Sequence, residues 1–161
     1  MSQVSRNVLR KVEFDVVVNT AIFAAGDAMH TGIITLPNCL QGHNHSGSVV
    51  GLSIVDQSAQ NSALSVLLFG ALLTTTAPVV NNPLDLADAE ADDSFLGHIP
   101  VVTGNYLSLA DNSIATVSNI DVPVVTPATN GRDLFAIVVC GGTPTYAATT
   151  DLRIKMYIRQ D

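Results

Sequence analysis

Two imidazoles one residue apart are the clearest place in this sequence where side chains could do chemistry. In Gln41 to Gly47 (QGHNHSG) an extended backbone would set His43 and His45 on one face. With His30, His98 or a carboxylate they could then hold a metal. The flanking glycines and serine instead describe a solvated polar loop, and no neighbour reads as a group that would orient either ring. No metal and no cofactor is therefore expected. The acidic run Asp85, Asp88, Glu90, Asp92 and Asp93 resembles a calcium loop in charge alone, because the regular ligand alternation, central glycine and terminal Glu are missing. It reads as a solvated face or as an acidic contact for a basic patch on a neighbouring chain.

Nucleophilic chemistry finds no better footing. Cys39 and Cys140 stand 101 residues apart, make no CxxC motif, and read as buried thiols. No GxSxG elbow is present, and Gly141-Gly142-Thr143-Pro144 has neither the spacing of a phosphate loop nor a helix after it. Aromatic residues make up 5% and Trp is absent, so flat platforms for bases or sugars are scarce, and Tyr106, Tyr146 and Tyr157 read as packing residues. An enzyme is not the expectation.

The elements that would position these residues belong to one domain of 161 residues and 16.9 kDa. Only 13% of residues are charged, against about 25% in an average domain, while 47% are apolar. So little ionic surface suggests that part of the exterior faces other chains, and an oligomer is expected. A net charge of −7 works against nucleic acid as a partner. No apolar run reaches the roughly 18 residues that span a bilayer and no signal-peptide pattern opens the chain, so no membrane partner is expected and synthesis is placed in the cytoplasm.

Residues 1–11 (MSQVSRNVLRK), with Arg6, Arg10 and Lys11, read as an N-terminal arm, and 12–161 as a single β-sandwich domain. Val12 to Asn19 alternates with the period of a half-buried strand. Further strands are expected at Thr31–Leu36, Ser48–Gln57, Ala63–Phe69, Ile99–Val102, Tyr106–Leu109, Ile114–Val117, Ile120–Val125, Asp133–Cys140 and Asp151–Ile158, separated by turn residues. Leu84 to Asp93, behind Asn82-Pro83, is the one convincing helical signal. The fold class is all-β, a jelly-roll-like two-sheet sandwich with one short surface helix. Spacing does not determine strand order.

Three segments carry a resemblance: Asp56–Phe69 (DQSAQNSALSVLLF), Asn105–Asp121 (NYLSLADNSIATVSNID) and Thr143–Asp161 (TPTYAATTDLRIKMYIRQD). They are similar in pattern to small structural proteins of tailed bacteriophages, and the chain resembles a capsid decoration, or cement, protein. The resemblance implies a homotrimer on the outside of the expanded head, at its three-fold and quasi-three-fold positions, clamping adjacent major capsid subunits. Contact residues would come from the arm (Arg6, Arg10, Lys11), then from the loop with His43 and His45, and then from the acidic segment. The rival readings are a tail, neck or head-fibre protein, and a jelly-roll module binding a glycan or small ligand.

Overall fold

The computed structural model describes residues 8–41, 45–127 and 131–160. Nine strands are described: β1 (Val8–Val16), β2 (Ile34–Leu36), β3 (Ser46–Asp56), β4 (Leu64–Phe69), β5 (Phe95–Val101), β6 (Tyr106–Ser108), β7 (Ser113–Val125), β8 (Leu134–Cys140) and β9 (Leu152–Gln160). One α-helix is described, α1 (Asp88–Ser94), which leads straight into β5.

The pairing is nested. β1 runs antiparallel to β9, β2 to β8, β3 to β7 and β4 to β5, as if one long hairpin had been wound up, with β6 added beside β7. Contacts β3–β9 and β4–β8 then join the wound strip into two sheets, β1-β9-β3-β7-β6 and β2-β8-β4-β5. This is the strand order of a jelly roll.

Alternation explains how the sheets stack. On β9, Leu152, Ile154, Met156 and Ile158 are buried while Arg153 and Arg159 face out. Val49, Leu52 and Ile54 do the same on β3, and together they meet Leu64, Val66, Leu68, Leu134, Ala136 and Val138 of the second sheet. β8 (LFAIVVC) lacks alternation because both of its faces are covered. Phe135 and Ile137 point away from the main core into a second apolar cluster with Phe69 and Leu73, against which Ile33, Leu84 and Leu86 pack. The outer face of the four-stranded sheet is thus sealed by the chain's own connections.

Several boundaries differ from those read in the sequence. β1 begins at Val8, so residues 8–11 of the expected arm lie in the sheet, held by pairing with 157–160 of β9. Leu84 and Leu86 belong to the second cluster, which confines the helix to 88–94. Ile114–Val117 and Ile120–Val125 form the single strand β7. Its register against β3 slips around Val50, and Asn119 takes φ 58°, so the turn signal at Ser118-Asn119 becomes a bulge. β2 is short, and residues 27–30 stand in for it beyond Ala136: Met29 N–H donates to Val138 O, and His30 Nε2 accepts from Val138 N–H at 3.0 Å.

Candidate interaction surface

Strand register decides which of the candidate residues meet. Val8, Gln160, Gly47 and Val124 lie side by side across four strands, so the start of β1, the end of β9 and the connections before β3 and after β7 gather at one end of the sandwich, the base. Phe69 and Phe95 also pair there, which brings in α1 through the bond from Gly70 N–H to Ser94 O at 2.9 Å. The start of β1, the His45 loop and the α1 part of the acidic segment therefore share one end of the molecule, whereas the start of the acidic segment lies toward the other, where Leu84 N–H donates to Gly26 O and Gly26 N–H to Cys140 O. Arg6 and His43 lie outside the described residues.

The individual side chains are placed less simply. Arg10 and Lys11 are consecutive on β1 and face opposite ways. Lys11 lies on the outer sheet face, 3.4 Å from Glu13, whereas Arg10 stands opposite Ile158, on the interior side, with its Nε buried and unpartnered among the described residues. Alternation fixes neighbouring strand residues on opposite faces, so of these two expected contact residues Lys11 lies on the outer face and Arg10 at the rim. Gln160, buried beside it, donates from Nε2 to Cys39 O at 2.7 Å. His45 takes φ 46° and its Nδ1 donates to Gly131 O at 2.6 Å, while Thr126 N–H donates to His45 O. That ring fastens the two basal loops together. His30 is buried against β8 and His98 lies exposed on β5, so neither joins it.

The acidic segment splits in function. Glu90 turns back and accepts backbone N–H groups from Thr74, Thr75 (2.7 Å) and Thr76 (2.8 Å), and the hydroxyl and amides of that turn hold its carboxyl down at about 2. Asp85, Asp88, Asp92 and Asp93 stay exposed. No feature of the sequence marks Glu90 apart from its neighbours.

At the opposite end, Gln60, Asn61, Ser62, Thr103 and Gly141 to Pro144 line a shallow depression of about 260 Å³. Its polar groups are largely engaged within the fold. Thr145 N–H donates to Gln60 Oε1, Asn61 Nδ2 to Ser108 Oγ, and the Tyr106 hydroxyl to Ser62 O. Beneath it the buried Asp56 accepts N–H groups from Ser58 and Asn61, and its carboxyl is pushed up by desolvation first and then by nearby Asp151. Both thiols are free and buried. Burial pushes Cys39 up to about 11 and raises Cys140, the opposite of what a nucleophile requires.

A further surface was not marked by any sequence motif. On the outer face of the five-stranded sheet, β1 and β9 present Lys11, Glu13, Asp15, Arg153, Lys155 and Arg159, laced by Arg153–Asp15 at 2.6 Å and Arg153–Glu13 at 3.4 Å. The outward positions of β3 and β7, namely Ser48, Gly51, Ser53, Val55, Ile114, Thr116, Ser118, Pro123 and Val125, include no charge. Asp121, in the bulge, pairs with Arg159. The same sheet face is thus ionic on β1 and β9, whereas on β3 and β7 Asp121 is its one exposed charge.

The fold defines the class, a jelly-roll sandwich. No protein-family model matches the chain, and no curated protein is significantly similar to it.

Proposed function

We propose that this chain is a structural virion protein that binds the outside of an expanded phage head as a trimer and stabilises contacts between major capsid subunits. The observation that carries this reading is the convergence at one end of the start of β1, the loop containing His45 and the exposed carboxylates around α1. A broad rim of loops and charged groups suits a protein surface better than a small ligand does. Jelly rolls recur among viral shell proteins, and the charge-poor outer half-sheet supports self-association. The function needs no reaction. A protein that binds the assembled shell and not its parts stabilises the shell by mass action, and a trimer engages several subunits at once.

The test is occupancy on purified expanded heads. Deletion of residues 1–7 keeps all of Val8–Val16, so the truncated protein is expected to fold with an unchanged melting temperature and to lose most of its head binding. Full occupancy by the truncated protein removes residues 1–7, Arg6 among them, as the contact. Labelling at a single vertex, instead of over the whole head, replaces this reading with a neck or tail protein.

A further inference from the structure

At the end of the sandwich opposite the base, two buried oxygens without a partner lie beside one buried carboxylate. Asp56 ends β3 and Ser113 begins β7. They are register partners, each 0% exposed, so their side chains sit together on the inner side with Cβ atoms about 5 Å apart. Ser113 Oγ has no hydrogen-bond partner among the described residues. The loop after β3 folds back over the pair. Asp56 accepts from Ser58 N–H at 3.0 Å and Asn61 N–H at 3.1 Å, and Asn61 Nδ2 donates at 2.9 Å to the hydroxyl of Ser108, the register partner of Ser113. Asn61 Oδ1 is then left buried and, among the described residues, unpartnered. The charge is unmet as well. No ion pair among the described residues includes Asp56, and the neighbouring Asp151 is a second carboxylate, 7% exposed and tied to it through Ser58, whose hydroxyl donates to Asp151.

We propose that this end of the sandwich binds one calcium ion through the Asp56 carboxylate, Asn61 Oδ1 and Ser113 Oγ, with Asp151 supplying a second negative charge. These donors are hard oxygens, with no imidazole or thiol among them, which suits calcium and not zinc or copper. Each Asp56 oxygen keeps a lone pair beyond the N–H it accepts. Calcium takes oxygens at about 2.3–2.6 Å in an adaptable geometry, whereas magnesium demands a smaller, near-ideal octahedron and holds on to its waters. Asn61 and Ser62 also line the depression at this end, which gives the ion a route from solvent and leaves room for water ligands on that side. A proton on Asp56 would meet only one of the two unpartnered oxygens, while an ion meets both together with the charge. No spacing in the sequence marks these residues, and the site is independent of the decoration reading.

The ion acts as a staple across the end of β3, the loop of residues 57–61 and the β6–β7 hairpin. Ala59 and Asn61 in that loop each hold φ 51°, a conformation that costs energy away from glycine and that the Asp56 contacts sustain. Calcium binds the folded chain and not the unfolded one, so at a hundred times its dissociation constant it should raise the melting temperature by roughly 5–11 °C.

The experiment melts the whole chain in calcium chloride, in magnesium chloride and in EDTA, all at one ionic strength. Wild type should melt higher in calcium than in EDTA, and magnesium should give less than half of that gain. Ser113→Ala separates a ligand from a packing residue. In EDTA it should melt at or slightly above wild type, because it removes a buried hydroxyl that makes no bond, and in calcium it should lose most of the gain. Asp56→Asn should show no gain. A double variant of the exposed helix carboxylates, Asp92→Asn with Asp93→Asn, should keep the gain in full. Terbium bound in place of calcium should emit when tyrosine is excited, since the Tyr106 hydroxyl donates to Ser62 O beside Asn61, and calcium should displace that emission. A wild type that melts alike in calcium and EDTA, a gain kept in full by Ser113→Ala and Asp56→Asn, or a gain lost in the helix double variant each overturns the site.

Discussion

Replacing Gly47 with Ala tests the packing of the base directly. Gly47 lies in β3 between two strands, opposite Gln160 on one side and Val124 on the other. A Cβ added there would sit 2.5 Å from Arg159 O and 3.3 Å from Leu40 Cδ2. The first obstacle is backbone in β9, which is itself held between β1 and β3, so it cannot swing aside as a side-chain tip would. Overpacking of this kind costs about 1–3 kcal/mol. For a domain of this size, at about 2–4 °C per kcal/mol, the melting temperature should fall by roughly 2–12 °C. Gly51 is the internal control: a Cβ there meets its nearest atoms at 3.6–3.9 Å, and Gly51→Ala should leave stability within about 0.5 kcal/mol or raise it slightly. Thermal and urea unfolding at low protein concentration, where association does not contribute, would measure both. Equal melting temperatures for Gly47→Ala and wild type would refute the close approach of β3 to β9 at the base, and an equal loss in both variants would refute the ranking.

Two pH responses follow from particular side chains. His30 is buried, and desolvation lowers its pKa below 6.5, although backbone bonds at Thr31 and Gly32 oppose this. The neutral ring is therefore favoured in the folded state. Its stability contribution is complete above pH 6.5 and is lost as pH falls from there toward the folded pKa, so urea midpoints should drop below pH 6.5 in wild type and flatten in His30→Gln. Glu90 has the depressed carboxyl, about 2 against 4.5, so its contribution is present above pH 4.5 and lost as pH falls toward 2. Glu90→Ala should speed hydrogen exchange at the amides of Thr74, Thr75 and Thr76; unchanged protection there would show that the carboxylate does not hold that turn.

The strands that alternate were legible because one face of each meets a core and the other meets water. Val12, Phe14 and Val16 on β1 and Leu152 to Ile158 on β9 are of this kind. The burial of Cys39 and Cys140 also agrees with the sequence reading. Local pattern misled where a tertiary contact outweighed it: Leu84 and Leu86 look helical but fill the second cluster, and Arg10 looks like part of a basic arm but falls on the interior side of a paired strand. Glu90 was hidden among similar carboxylates, since only the fold brings the Thr74–Thr76 amides to it.

By itself the sequence determined the all-β class, the approximate strands and a surface short of charge, because period, turn chemistry and composition are properties of neighbouring residues. Tertiary structure alone decided the nested pairing of a jelly roll, the gathering of the start of β1, the His45 loop and α1 at one base, and the division of one sheet face into an ionic and a charge-poor half. Those depend on which strands lie side by side and in what register. Pairings such as Val8 with Gln160 join residues far apart in the chain, and nothing local to either end specifies them.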